Sequence, residues 1–192
     1  GKSFPSETVC IGMPADKENK EHTVLIVNNF DRVSGPVFFD SPEYAGFDNS
    51  IDSGVPYIRD ISYIGEMYQN HRTKEWLTND NPGFGGSHQD YAGKTVAGNT
   101  FDHAYTHGKA VLKNGFPFCS CSNEAFCNDS TYRQDAWAID LICGKQVTTT
   151  VGGGFDSPRF QVFPAEMISA LSAAAEKGVD ILISGSNIGT DA

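Results

Sequence analysis

Three residues of this 192-residue chain could together form the machinery of a serine hydrolase: Ser186, His107 and Asp102. Ser186 follows an apolar run and lies in a turn of small residues, SGSNIG, which is the usual setting of a nucleophile elbow. A serine nucleophile needs a base within hydrogen-bond reach and an acid that orients this base. We predict His107 as the base and Asp102 as the acid, with the backbone N–H groups after Ser186 as the oxyanion site.

The turn around Ser186 departs from the G-x-S-x-G pattern of hydrolases. Gly185 immediately precedes the serine, and the second glycine, Gly189, comes one residue late. The alternative is a tight turn in which small residues let the sheet pack closely and expose a ligand-binding loop. The sequence therefore leaves open whether the protein is an enzyme.

Histidine and cysteine residues offer the ligands of a zinc site, but in an incomplete pattern. His103 and His107 are spaced i and i+4, without the glutamate of H-E-x-x-H, and we predict a buried or loop-anchoring role for His103. Cys119, Cys121 and Cys127 crowd one segment and lack a fourth ligand. A disulfide to Cys127 and ordinary buried thiols are both open alternatives. We expect no metal and no cofactor, since no phosphate-binding glycine motif occurs either.

Acidic and aromatic residues point to a different chemistry, on polysaccharides. Asp31, Asp102 and Asp191 follow predicted strands or lie in loops near strand ends, and paired carboxylates hydrolyse glycosidic bonds. Acids also act as turn formers and helix caps at such places. The aromatic residues between 44 and 91 could stack on sugar rings, or could form a satellite core for their own segment.

Apolar runs and amphipathic segments alternate along the chain and must position these residues. Strands are predicted at 24–27, 116–122, 135–144 and 181–183, and helices at 108–113 and 164–178. This order predicts a single α/β domain over residues 1–192, with three layers and a mainly parallel, flavodoxin-like sheet. A loop-rich insertion at about 37–98 would contain one amphipathic helix, at 57–71.

The carboxyl ends of the strands are where open α/β sheets bind their ligands. Polar residues that follow the predicted strands or lie in neighbouring loops should meet at this edge, beside the three candidate catalytic residues. We predict six ligand-binding residues there: Asn29, Asp31, Arg32, Asn99, Ser184 and Asn187.

The charge balance and the hydropathy pattern exclude two classes of partner. The chain has 24 acidic and 14 basic residues and a formal net charge of -10, without a cluster of Lys and Arg. Because binding to phosphate backbones needs such a basic face, we expect no nucleic acid partner. No apolar run approaches the length of a membrane span, so we expect none.

Four segments of the chain resemble a module of secreted proteins from Gram-negative gut bacteria, labelled golvesin C-terminal-like or xanthan lyase. These segments are NNFDRVSGP, VAGNTFDHAYTHGKAVLKNGFPFCSCSNEAF, DLICGKQ and EKGVDILISGSNIGTD. The similarity runs from about Val24 to the chain end. It implies a secreted, periplasmic or cell-surface location and membership of a longer multidomain protein.

The segments DLICGKQ and DILISG are also similar to the sheet of class I glutamine amidotransferase-like proteins. Active members of that superfamily carry a cysteine at the elbow and a histidine further on, whereas this sequence has Ser186-Asn187 and no later histidine. The two resemblances imply a non-catalytic or degenerate amidotransferase-like module of a polysaccharide-acting protein. It would bind a glycan or a neighbouring domain at the strand carboxyl ends, and the alternative is a hydrolase with Ser186, His107 and Asp102.

Overall fold

The computed structural model describes residues 7–15, 19–31, 37–47, 70–71, 102–148 and 159–190. The chain divides into two compact units. The first unit comprises Gly1–Phe4, Arg32–Thr100 and Thr148–Phe160, and its main segment covers the predicted insertion. The second unit comprises Pro5–Asp31, Phe101–Val147 and Gln161–Ala192.

Eight strands and four helices lie in the described residues. In chain order they are β1 (Ile11–Gly12), β2 (Val24–Asn28), β3 (Phe38–Asp40), β4 (Tyr44–Phe47), β5 (Asn70–His71), α1 (His103–Lys113), β6 (Phe118–Ser122), α2 (Asn123–Asn128), α3 (Thr131–Gln134), β7 (Ala138–Gly144), α4 (Ala165–Glu176) and β8 (Asp180–Gly185). None of the described helices combines the length and apolarity needed to cross a bilayer.

The second unit contains a mixed sheet with the strand order β1, β6, β2, β7, β8. Strands β6, β2, β7 and β8 run parallel to one another, and the short edge strand β1 runs antiparallel to β6. Strand β2 is buried along its whole length, as its continuous apolar run predicts for a strand with neighbours on both sides. The predicted α/β class is confirmed.

Successive side chains of a strand point to opposite sides, so each face of the sheet carries side chains to be covered. Helices lie on both faces. Leu25 of β2 and Leu141 of β7 pack with Phe126 of α2 and Met167 of α4 in the main core. On the other face lies α1, which presents the buried Ala104 and Gly108. A Cβ atom on Gly108 would lie only 2.2 Å from Cζ of Phe118, so α1 packs directly onto the sheet.

The ends of the helices follow the signals in the sequence. Asn114 and Gly115 end α1, and Gly115 has a positive φ of 82°. Helix α4 starts after Pro164 and is followed by Gly178, whose φ is 79°. The hydroxyl of Ser122 accepts a hydrogen bond from the Ala125 N–H and thereby caps α2.

The first unit contains a three-stranded antiparallel sheet in the order β3, β4, β5. Asn70 and His71 belong to β5, where they pair with Ala45 and Tyr44, and not to the helix predicted at 57–71. The prediction was wrong at this point because strand pairing with a distant segment competes with the local helical pattern. The rest of that predicted helix lies outside the described residues.

Candidate functional site

A hydrogen-bond network joins the loops that follow the parallel strands β2, β7 and β8. Gln146, which is 1% exposed, donates from Nε2 to Oδ2 of Asp31 at 2.5 Å and accepts at Oε1 from the Asp31 N–H at 3.4 Å. Asn187 donates from Nδ2 to the Gln146 carbonyl oxygen at 3.1 Å. We call five residues the carboxyl-end network: Asn29, Asp31, Asn123, Gln146 and Asn187. Three of them, Asn29, Asp31 and Asn187, are among the predicted ligand-binding residues.

Asn29 has a structural position within this network. It is 2% exposed, and its Nδ2 donates to the Val162 carbonyl oxygen at 2.8 Å and to Sγ of Cys143 at 3.4 Å. These bonds connect the end of β2 to β7 and to the segment that leads into α4. A side chain with these bonds positions the loops around it.

Asp31 has amide donors on both carboxylate oxygens. Oδ1 accepts from Nδ2 of Asn123 at 2.7 Å, and Oδ2 accepts from Gln146. With both oxygens engaged, the carboxylate of Asp31 connects the loop after β2 to α2 and to the loop after β7. Of its two predicted carboxylate partners, Asp102 precedes α1 and Asp191 lies outside the described residues.

The turn after β8 is built for close packing. The Ser186 N–H donates to the Gly144 carbonyl oxygen at 2.8 Å, while a Cβ atom on Gly185 would lie 2.7 Å from Cβ of Cys143. This contact explains why a residue without a side chain precedes Ser186. Ser184 lies opposite Ile142 in the strand register. Ser186 itself is exposed, and its hydroxyl has no hydrogen-bond partner among the described residues.

The acid beside His107 is Asp140. Nδ1 of His107 lies 2.7 Å from Oδ2 of Asp140, in the middle of β7. The predicted acid, Asp102, instead precedes α1, where its backbone oxygen accepts from the Thr106 N–H at 3.0 Å. The carboxylate on Nδ1 of His107 thus comes from β7, because the partner of a helical histidine is set by the strand beneath it.

The structure does not bring Ser186 to His107. Leu182 of β8 lies opposite Asp140, and Ser186 follows four residues later, which corresponds to about 13 Å along an extended chain. No hydrogen bond links Ser186 and His107, which are both described. The predicted triad is thus split between the face of the sheet and its carboxyl edge.

Three residues of the site were not predicted: Asn123, Asp140 and Gln146. Asp140 and Gln146 both lie in the segment DAWAIDLICGKQ, whose apolar run predicts only a strand. The available signal was an acid inside an apolar run, since a buried carboxylate requires a partner. For Gln146 the signal was a large amide directly after a strand, at the edge where ligand sites form.

His103 packs against the ring of Phe30, with centroids 6.0 Å apart and planes at 86°. Burial lowers the pKa of His103, and the charge of His107 lowers this pKa further. The described part of the chain contains no group of three His, Cys, Asp or Glu side chains that could hold a metal ion.

All five cysteines are free thiols in the structure, so the disulfide alternative is not formed. Burial raises the pKa of Cys121 to about 12, and the neighbouring Cys119 adds to this shift. Burial also raises the pKa of Cys119, Cys127 and Cys143. These groups are poor nucleophiles, because only the thiolate reacts.

A cavity of about 290 Å³ lies at the amino ends of the strands, on the edge opposite to the carboxyl-end network. It is lined by Thr23, Leu25, Cys119, Thr131, Asp135 and Ala136. Its volume is at the lower limit of small-molecule sites, and it contains none of the predicted ligand-binding residues.

Two predicted ligand-binding residues, Arg32 and Asn99, lie outside the described residues. Comparisons of the chain with protein-family models, with curated proteins and with solved structures gave no match.

Proposed function

We propose that the chain is a non-catalytic or degenerate amidotransferase-like module that binds a glycan through the loops at the strand carboxyl ends. The observation that carries this proposal is the carboxyl-end network, which fixes the loops after β2, β7 and β8 relative to one another. Loops held in this way need little ordering when a ligand binds, so less binding free energy is lost.

The strand order supports a flavodoxin-like form of the fold. Numbered by their order in the chain, the four parallel strands β6, β2, β7 and β8 give the order 2-1-3-4, which matches the beginning of the flavodoxin-like order 2-1-3-4-5. In such sheets the ligand crevice opens between the first and third strands, here β2 and β7. Asp31 and Gln146 meet at this point.

The groups on this edge favour binding over catalysis. The hydroxyl of Ser186 has no base beside it among the described residues, and Asp31 is held by two amide donors. Hydroxyl, amide and carboxylate groups are also the partners that sugar hydroxyls use. The net charge of -10 disfavours polyanions, so the expected ligand is a neutral glycan.

Native gels that contain a polysaccharide test this proposal directly. Wild-type protein should migrate more slowly in gels with a neutral glucan or galactomannan than in plain gels, and xanthan, which is anionic, should retard it less. Ser186→Trp should abolish the retardation, because an indole would cover the exposed turn.

Ser172→Trp is the matched control, since Ser172 is an exposed serine on α4, away from the strand ends. This variant should bind as the wild type does. Equal migration of the wild type in all gels, or unchanged retardation of Ser186→Trp, would contradict the proposal.

A hydrolase with Ser186 as nucleophile and His107 as base is the second candidate. Two observations favour it: the exposed hydroxyl in a turn at a strand end, and the carboxylate of Asp140 on Nδ1 of His107. Asp140 then takes the role assigned to Asp102. This candidate requires the Ser186 turn and α1 to approach each other.

The proposed location, secreted, periplasmic or at the cell surface, rests on the family resemblance, as does the proposal that neighbouring domains of a longer protein are partners. Protease treatment of intact cells that produce the native protein tests the location. A cell-surface protein would be cleaved without lysis, and complete protection would contradict a surface location.

A further inference from the structure

Asp140 is a buried carboxylate with one unused oxygen. It lies in the middle of β7, between β2 and β8, and is 6% exposed. Oδ2 contacts His107, whereas Oδ1 is buried and has no hydrogen-bond partner. Because burying a charged group is costly unless it is paired, such a position is unusual for a purely structural residue.

His107 has one ring nitrogen bound and the other available. Nδ1 contacts Asp140, and within the described residues Nε2 has no partner, while 32% of the side chain is exposed. In a neutral imidazole, a carboxylate on Nδ1 holds the proton there and leaves the lone pair on Nε2. Nε2 is therefore a hydrogen-bond acceptor that faces outward from the pair.

The approach of α1 to the sheet keeps this pair together. Gly108 follows His107 directly and leaves no room for a Cβ atom against Phe118, and Ala104 is fully buried one turn earlier. The helix backbone thus lies close enough to the sheet for a histidine to reach a strand residue. The geometry is held by packing and not by the contact between His107 and Asp140 alone.

The surface next to the pair combines apolar and hydroxyl groups. Leu182 lies opposite Asp140 in register and so points to the same face of the sheet, with 61% of its surface exposed. Ser184, two residues further along β8, belongs to the same face. An exposed apolar side chain beside a polar acceptor suits a ligand that carries both C–H surface and hydroxyl groups.

We propose that His107 and Asp140 form a dyad that binds a hydroxyl group of an uncharged ligand, with Nε2 of His107 as the acceptor and Leu182 against the apolar side of the ligand. Asp140 is a positioning residue that acts through His107. The inference goes beyond the proposed function, because this site lies on the α1 face of the sheet and not in the carboxyl-end loops. Anions are disfavoured by the buried carboxylate and by the net charge of -10.

Nitrogen-15 NMR of the histidine rings tests the dyad without any assumption about activity. In the wild type, His107 should be the Nδ1–H tautomer, and a panel of methyl glycosides (glucoside, mannoside, galactoside and xyloside) should shift its Nε2 resonance. Sodium acetate should not shift it. An Nε2–H tautomer, no shift with any glycoside, or a shift with acetate alone would overturn the inference.

Two variants separate positioning from general structure. In Asp140→Asn the proton should no longer be held on Nδ1 of His107. The Nε2–H form should then become populated, and the glycoside response at His107 should be lost. His103→Gln changes the neighbouring histidine and should leave both the tautomer and the response unchanged. An unaltered tautomer in folded Asp140→Asn would also overturn the inference, and the wild-type spectra decide the matter if that variant does not fold.

Ser186→Trp distinguishes this site from the glycan site proposed in the loops at the strand carboxyl ends. The variant should lose retardation in polysaccharide gels and keep the glycoside response at His107. Loss of the His107 response in Ser186→Trp would mean that the two sites are one, and would overturn their separation.

Discussion

Ser186 carries an exposed hydroxyl on a turn whose shape is dictated by packing. Gly185 is held against Cys143, and the Ser186 N–H is bonded to Gly144, so the turn follows from the contact between β7 and β8. A serine hydroxyl becomes a nucleophile only when a base removes its proton. The candidate base, His107, is engaged with Asp140 on the face of the sheet.

We therefore expect that a fluorophosphonate probe does not label folded protein. Without a base at hydrogen-bond distance, the Ser186 hydroxyl retains its ordinary low reactivity. Intact-mass analysis of the wild type and of Ser186→Ala measures this. A single adduct on the wild type that is missing from Ser186→Ala would contradict the non-catalytic proposal and make the hydrolase the leading function.

Residues at the site differ in how far the sequence reveals them. Asn29, Asp31 and Asn187 could be predicted, because each lies within three residues of the end of a recognisable strand and parallel strands end at one edge. The partner of His107 could not be predicted, since Asp140 lies 33 residues away along the chain and contacts His107 only because α1 lies across the sheet. Sequence spacing suggested Asp102, which is close along the chain but sits at the helix start.

At the scale of elements, continuous apolar runs and helix ends were informative. Strands β2, β7 and β8 and helix α4 lie within a few residues of their predicted positions, because burial and capping signals are local. The short strands β1 and β5 were not predicted. Each has two residues and is defined by its pairing with a distant segment, whereas its own sequence shows no periodic pattern.

The contact between α1 and β6 gives a prediction at this scale. Gly108→Ala should lower the free energy of unfolding by about 1–3 kcal/mol, because its Cβ would overlap the ring of Phe118. Gly189→Ala is the control, since no atom lies within 4 Å of a Cβ there, and its effect should stay within about 0.5 kcal/mol. Urea unfolding of both variants measures the difference, and equal stabilities would refute the close packing of α1.

At the scale of the whole molecule, the thiols that folding buries make the free energy of unfolding depend on pH in the alkaline range. Folding raises the pKa of Cys121 from 9.0 to about 12 and raises the pKa of Cys119, Cys127 and Cys143 in the same direction, because burial disfavours each thiolate. Above the unfolded pKa the unfolded chain loses these protons while the folded protein keeps them. The unfolded state is then favoured as pH rises.

The free energy of unfolding should consequently fall as the pH increases from 9.0 toward about 12, by at most about 1.4 kcal/mol per pH unit for each fully buried thiol. Urea unfolding in the presence of a reductant measures this slope. Cys121→Val should flatten it, whatever its effect on stability at neutral pH. An identical slope in both proteins would show that folding does not change the pKa of the Cys121 thiol.

The pairing of distant segments also has a consequence for how the protein reaches its structure. The Cys10 N–H bonds to a hydroxyl 110 residues further along, and Asn29 bonds to a carbonyl 133 residues away. Contacts of such high sequence separation slow folding, because the chain must close long loops before it gains their stabilisation. On the ribosome, β2 would leave the exit tunnel long before β6 and β7 exist. Its apolar residues would then need protection until the last third of the chain is made.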